Sequence, residues 1–154
     1  MSKLNDLIQK LCPDGVKFLC LDEVSEIRSG WGFPNKEQGK KEGDYPFFKV
    51  GDMNNIGNEM FMFNANNYIN VDTAKKLKCK PAPHGTIIFP KIGAAIQTNK
   101  KRILTVDSCY DNNVVGLIAK DIIVPRFLFY VIQSIDLMIF TDSAGAVPSI
   151  KMLH

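Results

Sequence analysis

The chain has 154 residues, of which 45% are hydrophobic and 23% charged, with a net charge of +3. That length fits one domain, spanning residues 1–154, with a core of its own, and the composition excludes a globally disordered chain. Four widely spaced cysteines, Cys12, Cys20, Cys79 and Cys109, form no C-x-x-C pair. They predict reduced thiols in a cytoplasmic protein rather than a disulfide frame, and with only His84 and His154 to add they predict no zinc site.

Leu4, Leu7, Ile8 and Leu11 recur at helical spacing, so residues 2–11 are expected to form a short amphipathic helix with Ser2 as its N-cap. The segment is too polar for a signal peptide, and Cys12-Pro13-Asp14-Gly15 ends it in a turn. Val16, Phe18 and Leu19 are expected in a short strand, and residues 21–24 in a helical turn leading into Ser25 to Arg28. From Ser29 to Asp44 the run "SGWGFPNKEQGKKEGD" carries four glycines and a proline, which predicts a long surface loop. It displays Trp31 and Phe33 beside Lys36, Lys40 and Lys41. Trp31 either folds back as an apolar lid or meets a ligand.

"YPFFKVGDM" predicts a strand stopped by Gly-Asp, and the Asn-rich stretch after it mixes turns with short strands. Asp72 or Thr73 is expected to cap a short helix through Leu77. "GTIIFP", "GAAIQT", "RILTVD" and "NNVVGLI" then follow as four closely spaced β-rich runs, which point away from βαβ units. Pro125 opens "PRFLFYVIQSIDLMIF", expected as a 16-residue helix largely buried against the sheet. Gln133 and Asp136 interrupt its apolar body, which falls short of the roughly 20 residues that span a bilayer. The fold class is therefore α+β. We expect a twisted, mostly antiparallel sheet or partial β-barrel with a short N-terminal helix and a buried C-terminal helix.

Charge is unevenly distributed. Between Thr73 and Val106 lie Lys75, Lys76, Lys78, Lys80, Lys91, Lys100, Lys101 and Arg102 with no carboxylate, so this part carries +8 and the remainder −5. Two basic clusters separated by an apolar strand are expected to converge on folding into a phosphate-binding surface. No phosphate-binding glycine loop, H-E-x-x-H, G-x-S-x-G or clustered carboxylates are present, so catalysis by this chain and a cofactor are not expected. A Cys109 nucleophile with His84 as base is the one enzymatic alternative, and it lacks a third group.

"KLCPDGVKFLCLDEVSEIRSG" resembles the opening of a target recognition domain from the DNA specificity subunit of Type I restriction-modification enzymes. "DYPFFKVGDM", "GTIIFPKIGAAIQTNKKRIL", "DNNVVGLI", "VPRFLFYVIQSIDL" and "GAVPSI" resemble its later segments in order, nearly end to end. The resemblance implies a non-catalytic module that reads one half of a bipartite duplex DNA site. It implies as partners a modification (methyltransferase) subunit, which uses S-adenosylmethionine, and an ATP-driven restriction subunit, with no membrane association. Such chains continue into a long conserved spacer helix. This sequence stops at His154, which implies a domain cut at its boundary or a truncated gene product.

Residues and resemblance together point to double-stranded DNA. Lys75, Lys76, Lys91, Lys100, Lys101 and Arg102 are expected to neutralise phosphates or read guanine. Gln97 and Asn99 have the donors and acceptors to read adenine, the alternatives being a solvent-facing strand position and a hairpin turn. The loop with Trp31, Lys36, Lys40 and Lys41 is expected on another side of the groove, with residues 143–149 shaping the same cleft. The alternative is a single-stranded nucleic-acid or RNA-binding β-domain stacking bases on Trp31, Phe33 and Phe89.

Overall fold

A computed structural model describes residues 2–15 and 17–141. Helix α1 (Lys3–Leu11) is capped as expected, Asn5 N–H donating to Ser2 Oγ at 3.3 Å. None of its residues is buried, so its leucine stripe lies open. Val16 lies outside the described residues, and residues 17–20 form no strand; Phe18 is 94% exposed. Helix α2 (Leu21–Val24) closes through Glu23, whose carboxylate accepts from Cys20 N–H at 2.6 Å, and feeds strand β1 (Ser25–Ser29).

The remaining strands are β2 (Tyr45–Phe48), β3 (Phe61–Met62), β4 (Tyr68–Ile69), β5 (Ile87–Pro90), β6 (Arg102–Leu104), β7 (Cys109–Tyr110) and β8 (Val114–Ala119). They form two open sheets, one ordered β1-β8-β5-β6-β3 and the other β4-β2-β7. Pairing is antiparallel except for β3 with β6 and β2 with β7. Of the two architectures expected, the open, mostly antiparallel sheet is the one adopted.

Strand β5 explains how the layers join. Ile87 and Phe89 face one way, into a core with Val115 and Leu117 of β8 and with Leu128, Phe129 and Ile132. Ile88 faces the other way, into a core with Phe48, Met53, Met62, Leu104, Tyr110 and Val114. Both faces are covered, which is why this strand is a continuous apolar run rather than an alternating one. A third cluster, Phe47, Ile69, Ala74, Cys79 and Cys109, lies behind β2 and under helix α3 (Val71–Lys76). Asn70, not Asp72 or Thr73, caps that helix.

Three further expectations fail locally. "GAAIQT" is a 3-10 helix (Gly93–Thr98) and not a strand. It leaves Ile92 at φ −134° and ends at Asn99 in the left-handed region, so the chain curls back before β6. Helix α4 (Pro125–Gln133) has nine residues rather than 16, because Ser134 turns its hydroxyl onto the Val131 carbonyl and a separate 3-10 turn (Leu137–Phe140) follows. Only one face of α4 is buried; Phe127 is 61% and Tyr130 57% exposed. Last, Cys79 and Cys109 form a disulfide, leaving Cys12 and Cys20 as the free cysteines. Both bonded cysteines lie in the third apolar cluster, where folding brings α3 against β7.

Candidate nucleic-acid interface

Strand register brings several loops to one end of the two sheets. Ser29 pairs with Val115 and Pro90 with Val114, so β1 and β5 finish where β8 begins. Phe48 pairs with Tyr110, and Asp111 N–H donates to the Phe48 carbonyl at 2.9 Å, adding the ends of β2 and β7. Residues 30–44, 49–60, 91–101 and 111–113 therefore leave from, or return to, the same end. Direct bonds tie them together: Gly30 N–H to the Val114 carbonyl, Trp31 N–H to the Tyr110 carbonyl and Lys91 N–H to the Asn113 carbonyl. Tyr110 is buried beneath, its hydroxyl donating to the Arg28 carbonyl at 3.2 Å, and burial raises its pKa above the ordinary tyrosine value. Burial also raises the pKa of Asp111, against the opposing hydrogen bonds from Asn113.

The Asn-rich segment is a polar knot built on two buried side chains. Asp52 accepts Lys49 N–H at 2.6 Å and Asn66 N–H at 2.8 Å. Asn58, fully buried, donates to the carbonyls of Asp52 and Asn64 and accepts from Phe63 N–H and Asn64 N–H. Sequence reasoning saw turns here and missed the knot; the available signal was six asparagines between positions 54 and 67 around Gly57. Asn58→Ala strands four polar partners, each costing about 1 kcal/mol or more when buried and unpaired. We expect a loss of roughly 3 kcal/mol, checked by urea denaturation; a loss below about 1 kcal/mol would contradict the knot.

The basic tip differs from expectation. Lys101 is buried at 1% exposure, its Nζ donating to Asn99 Oδ1 and to the Ile135 carbonyl, both at 2.6 Å. Burial lowers its pKa against the nearby Asp136 charge. It is a strut, not a phosphate ligand. Arg102 is half-buried and donates to the Lys101 carbonyl at 2.9 Å and the Met53 carbonyl at 3.2 Å, so its guanidinium serves the fold too. Asn99 spends its carbonyl oxygen internally, on Lys101 and on Leu137 N–H at 2.9 Å. Gln97 is exposed on the 3-10 helix, Lys100 reaches Asn54 Oδ1, and Lys91 donates to Ser29 Oγ at 3.1 Å.

The two basic clusters lie at different ends of β2. Helix α3 follows Ile69, which pairs with Tyr45 at the start of β2, and Val71 N–H donates to Asp44 there. Lys75 and Lys76 are exposed, and Lys76 pairs with Glu37 at 3.7 Å. Lys40 also pairs with Glu37, at 2.8 Å, and its hydrogen bond holds the Glu37 carboxyl below its usual range. The α3 cluster thus joins the exposed Lys36, Lys40 and Lys41 of the long loop rather than the Lys91–Arg102 segment.

The aromatic residues are committed to packing. Trp31 is half-buried 5.6 Å from the Tyr110 ring, Phe33 stacks on Phe47 at 3.8 Å, and Phe89 is 1% exposed. Phe89 therefore offers no base-stacking platform, which takes one of its three stacking residues from the single-strand alternative. The disulfide likewise removes Cys109 as a nucleophile. Residues 143–149, expected to shape the cleft, lie outside the described residues. Among the described residues no three His, Cys, Asp or Glu side chains gather as a metal-ligand set, and no helix is long and apolar enough to cross a membrane.

The family model for the Type I restriction modification DNA specificity domain matches residues 13–152. Among solved structures, the chain is similar to one from work on complex assembly and conformational transition of the type I R-M system. That match has a TM-score of 0.64 at 15% identity and covers 96% of this chain and 36% of that one. The HsdS subunit from Thermoanaerobacter tengcongensis gives a TM-score of 0.59 at 13% identity, covering 94% of this chain and 38% of that one. The S subunit of a Type-I restriction-modification system from M. genitalium gives 0.55 at 13% identity, with coverage of 87% and 30%. This chain spans about a third of the length of each of these structures. No curated protein sequence matches it.

Proposed function

We propose, since this chain belongs to the Type I restriction modification DNA specificity domain family, that its loop-bearing end reads one half of a bipartite duplex DNA target. In this reading the module itself is non-catalytic and works in the cytoplasm. Methylation and cleavage fall to a modification subunit and a restriction subunit assembled with the full protein. The observation that carries the reading is that the long loop after Ser29 and residues 49–60 and 91–101 all leave from one end of a two-sheet frame. Rigid strands hold the loops, and loops so held are the usual carriers of recognition.

Within that end the contacts divide by chemistry. Lys91 and Lys100 at that end, with Lys36, Lys40 and Lys41 of the long loop along its flank, serve phosphates, which position a protein on DNA without reading sequence. Lys75 and Lys76 extend the same function along the flank where Glu37 joins them to the long loop. Gln97, exposed on its short helix, has the paired donor and acceptor that suit adenine N7 and N6. Trp31 supports the loop from beneath through Tyr110.

Lys36→Ala combined with Lys41→Ala is the direct test, because both side chains are exposed while Lys101 is not. The double variant is expected to bind duplex DNA more weakly whatever the sequence. Its plot of log affinity against log salt should flatten by about 2, near 0.9 per lost phosphate contact. Fluorescence anisotropy over a salt series reads this out, and an unchanged slope would remove these lysines from the interface.

A further inference from the structure

We infer that Asn99 and Lys101 are positioning residues: they fix the Gly93–Thr98 turn and its Gln97 at the DNA-facing end by tethering it to residues 135–137, without touching DNA themselves. The inference rests on the DNA-reading proposal above and adds how one reading element is held in place.

Strands β5 and β6 pair only at Ile87–Ile103 and Ile88–Arg102, so the hairpin ladder stops well short of the turn. Something else must hold residues 91–101. At the near end the Lys91 N–H bond to the Asn113 carbonyl does so, and in the middle the fully buried Ile96 does. The far end depends on one oxygen. Asn99 adopts φ 55°, ψ 26°, a left-handed conformation that asparagine tolerates better than most residues, and so aims Oδ1 at Lys101 Nζ and Leu137 N–H. Lys101 then bridges from that oxygen to the Ile135 carbonyl.

A buried ammonium is an expensive way to fill space, since its desolvation offsets much of what its bonds return. An apolar side chain of the same length would pack there but leave Asn99 Oδ1 and the Ile135 carbonyl short of a donor. What the ammonium adds is direction: it locks the turn to a segment 34 residues away in sequence. Were Asn99 to read a base with its oxygen, it would have to give up both of these bonds.

The test compares Asn99→Gly, which keeps the left-handed backbone and loses the acceptor, with Asn99→Asp, which keeps both. The chain is used to select from a pool of random duplex DNA, and each variant is then measured on the selected duplex and a scrambled one. Asn99→Gly is expected to lose about tenfold in the ratio of the two affinities, the scale of one base contact. Its affinity for the scrambled duplex should stay within about twofold, because no phosphate contact is removed. Asn99→Asp should restore the ratio. Without DNA, amide hydrogen exchange at residues 93–98 should quicken in Asn99→Gly and not in Asn99→Asp. An undiminished ratio in Asn99→Gly, or unchanged exchange, overturns the inference while leaving the DNA reading intact. If the parent chain enriches no sequence, the DNA reading falls and this inference with it; quickened exchange would then mark Asn99 as a tether of purely structural use.

Discussion

Gly30→Ala is expected to lower the melting temperature by roughly 6–16 °C, the largest effect of any single substitution considered. A methyl group at this position would meet the carbonyl oxygens of Asp111 and Tyr110 at less than contact distance. Both obstacles are backbone, and both are pinned. Gly30 N–H bonds the Val114 carbonyl, Trp31 N–H bonds the Tyr110 carbonyl, and Asp111 N–H bonds the Phe48 carbonyl. Overpacking a site that cannot yield costs about 3–4 kcal/mol or more, and each kcal/mol moves the melting point of a chain this size by about 2–4 °C. Gly32→Ala, two residues on, meets nothing within 4 Å and is the control. Circular dichroism melts of the two variants decide the matter: equal melting points would mean that the crossing of β1 over the end of β7 is looser than described.

Reduction of the Cys79–Cys109 disulfide is expected to lower the melting temperature by about 10 °C. The bond joins residues 30 apart, and closing a loop of that size removes about 3–4 kcal/mol of denatured-state entropy in the chain-closure treatment. At about 2–4 °C per kcal/mol the shift is easily measured by differential scanning calorimetry with and without a thiol reductant. A Cys79→Ala, Cys109→Ala double variant should melt near the reduced protein and ignore the reductant. Removing Cys12 and Cys20, the free cysteines, should change neither curve. A parent protein whose melt is indifferent to reductant would refute the staple.

Much of the fold was legible because it is written locally. The i, i+3, i+4, i+7 spacing of α1, its Ser2 cap, the Leu21–Val24 turn of α2 and the apolar run of β5 all carry their structure in neighbouring residues. "GAAIQT" misled because its neighbours on both sides are strands and its composition suits either state. What decides the matter is the left-handed Asn99 at its end, held by Leu137, a residue 38 positions away. Lys101 misled for a related reason. Its residue type argues for the surface, and only the return of residues 135–137 over it makes it buried. The disulfide follows the same rule, since nothing in a 30-residue separation announces that α3 docks on β7. The long loop after Ser29 was therefore legible from sequence while the turns at residues 50–54 and 93–98 were not, and which lysines are exposed and which buried depended on contacts no window contains.

The polar knot around Asp52 and Asn58 has a bearing on how such a protein changes over time. The bonds of the knot start and end between positions 49 and 66, while Met53 and Met62 anchor the segment in the second core and Arg102 and Ile103 donate to its Met53 and Met60 carbonyls. Its most prominent display position, Ile56, is 92% exposed and outside the buried clusters. A segment framed in this way behaves as a cassette. What it shows to a partner can be rewritten one side chain at a time, and the frame that shows it need not be rebuilt.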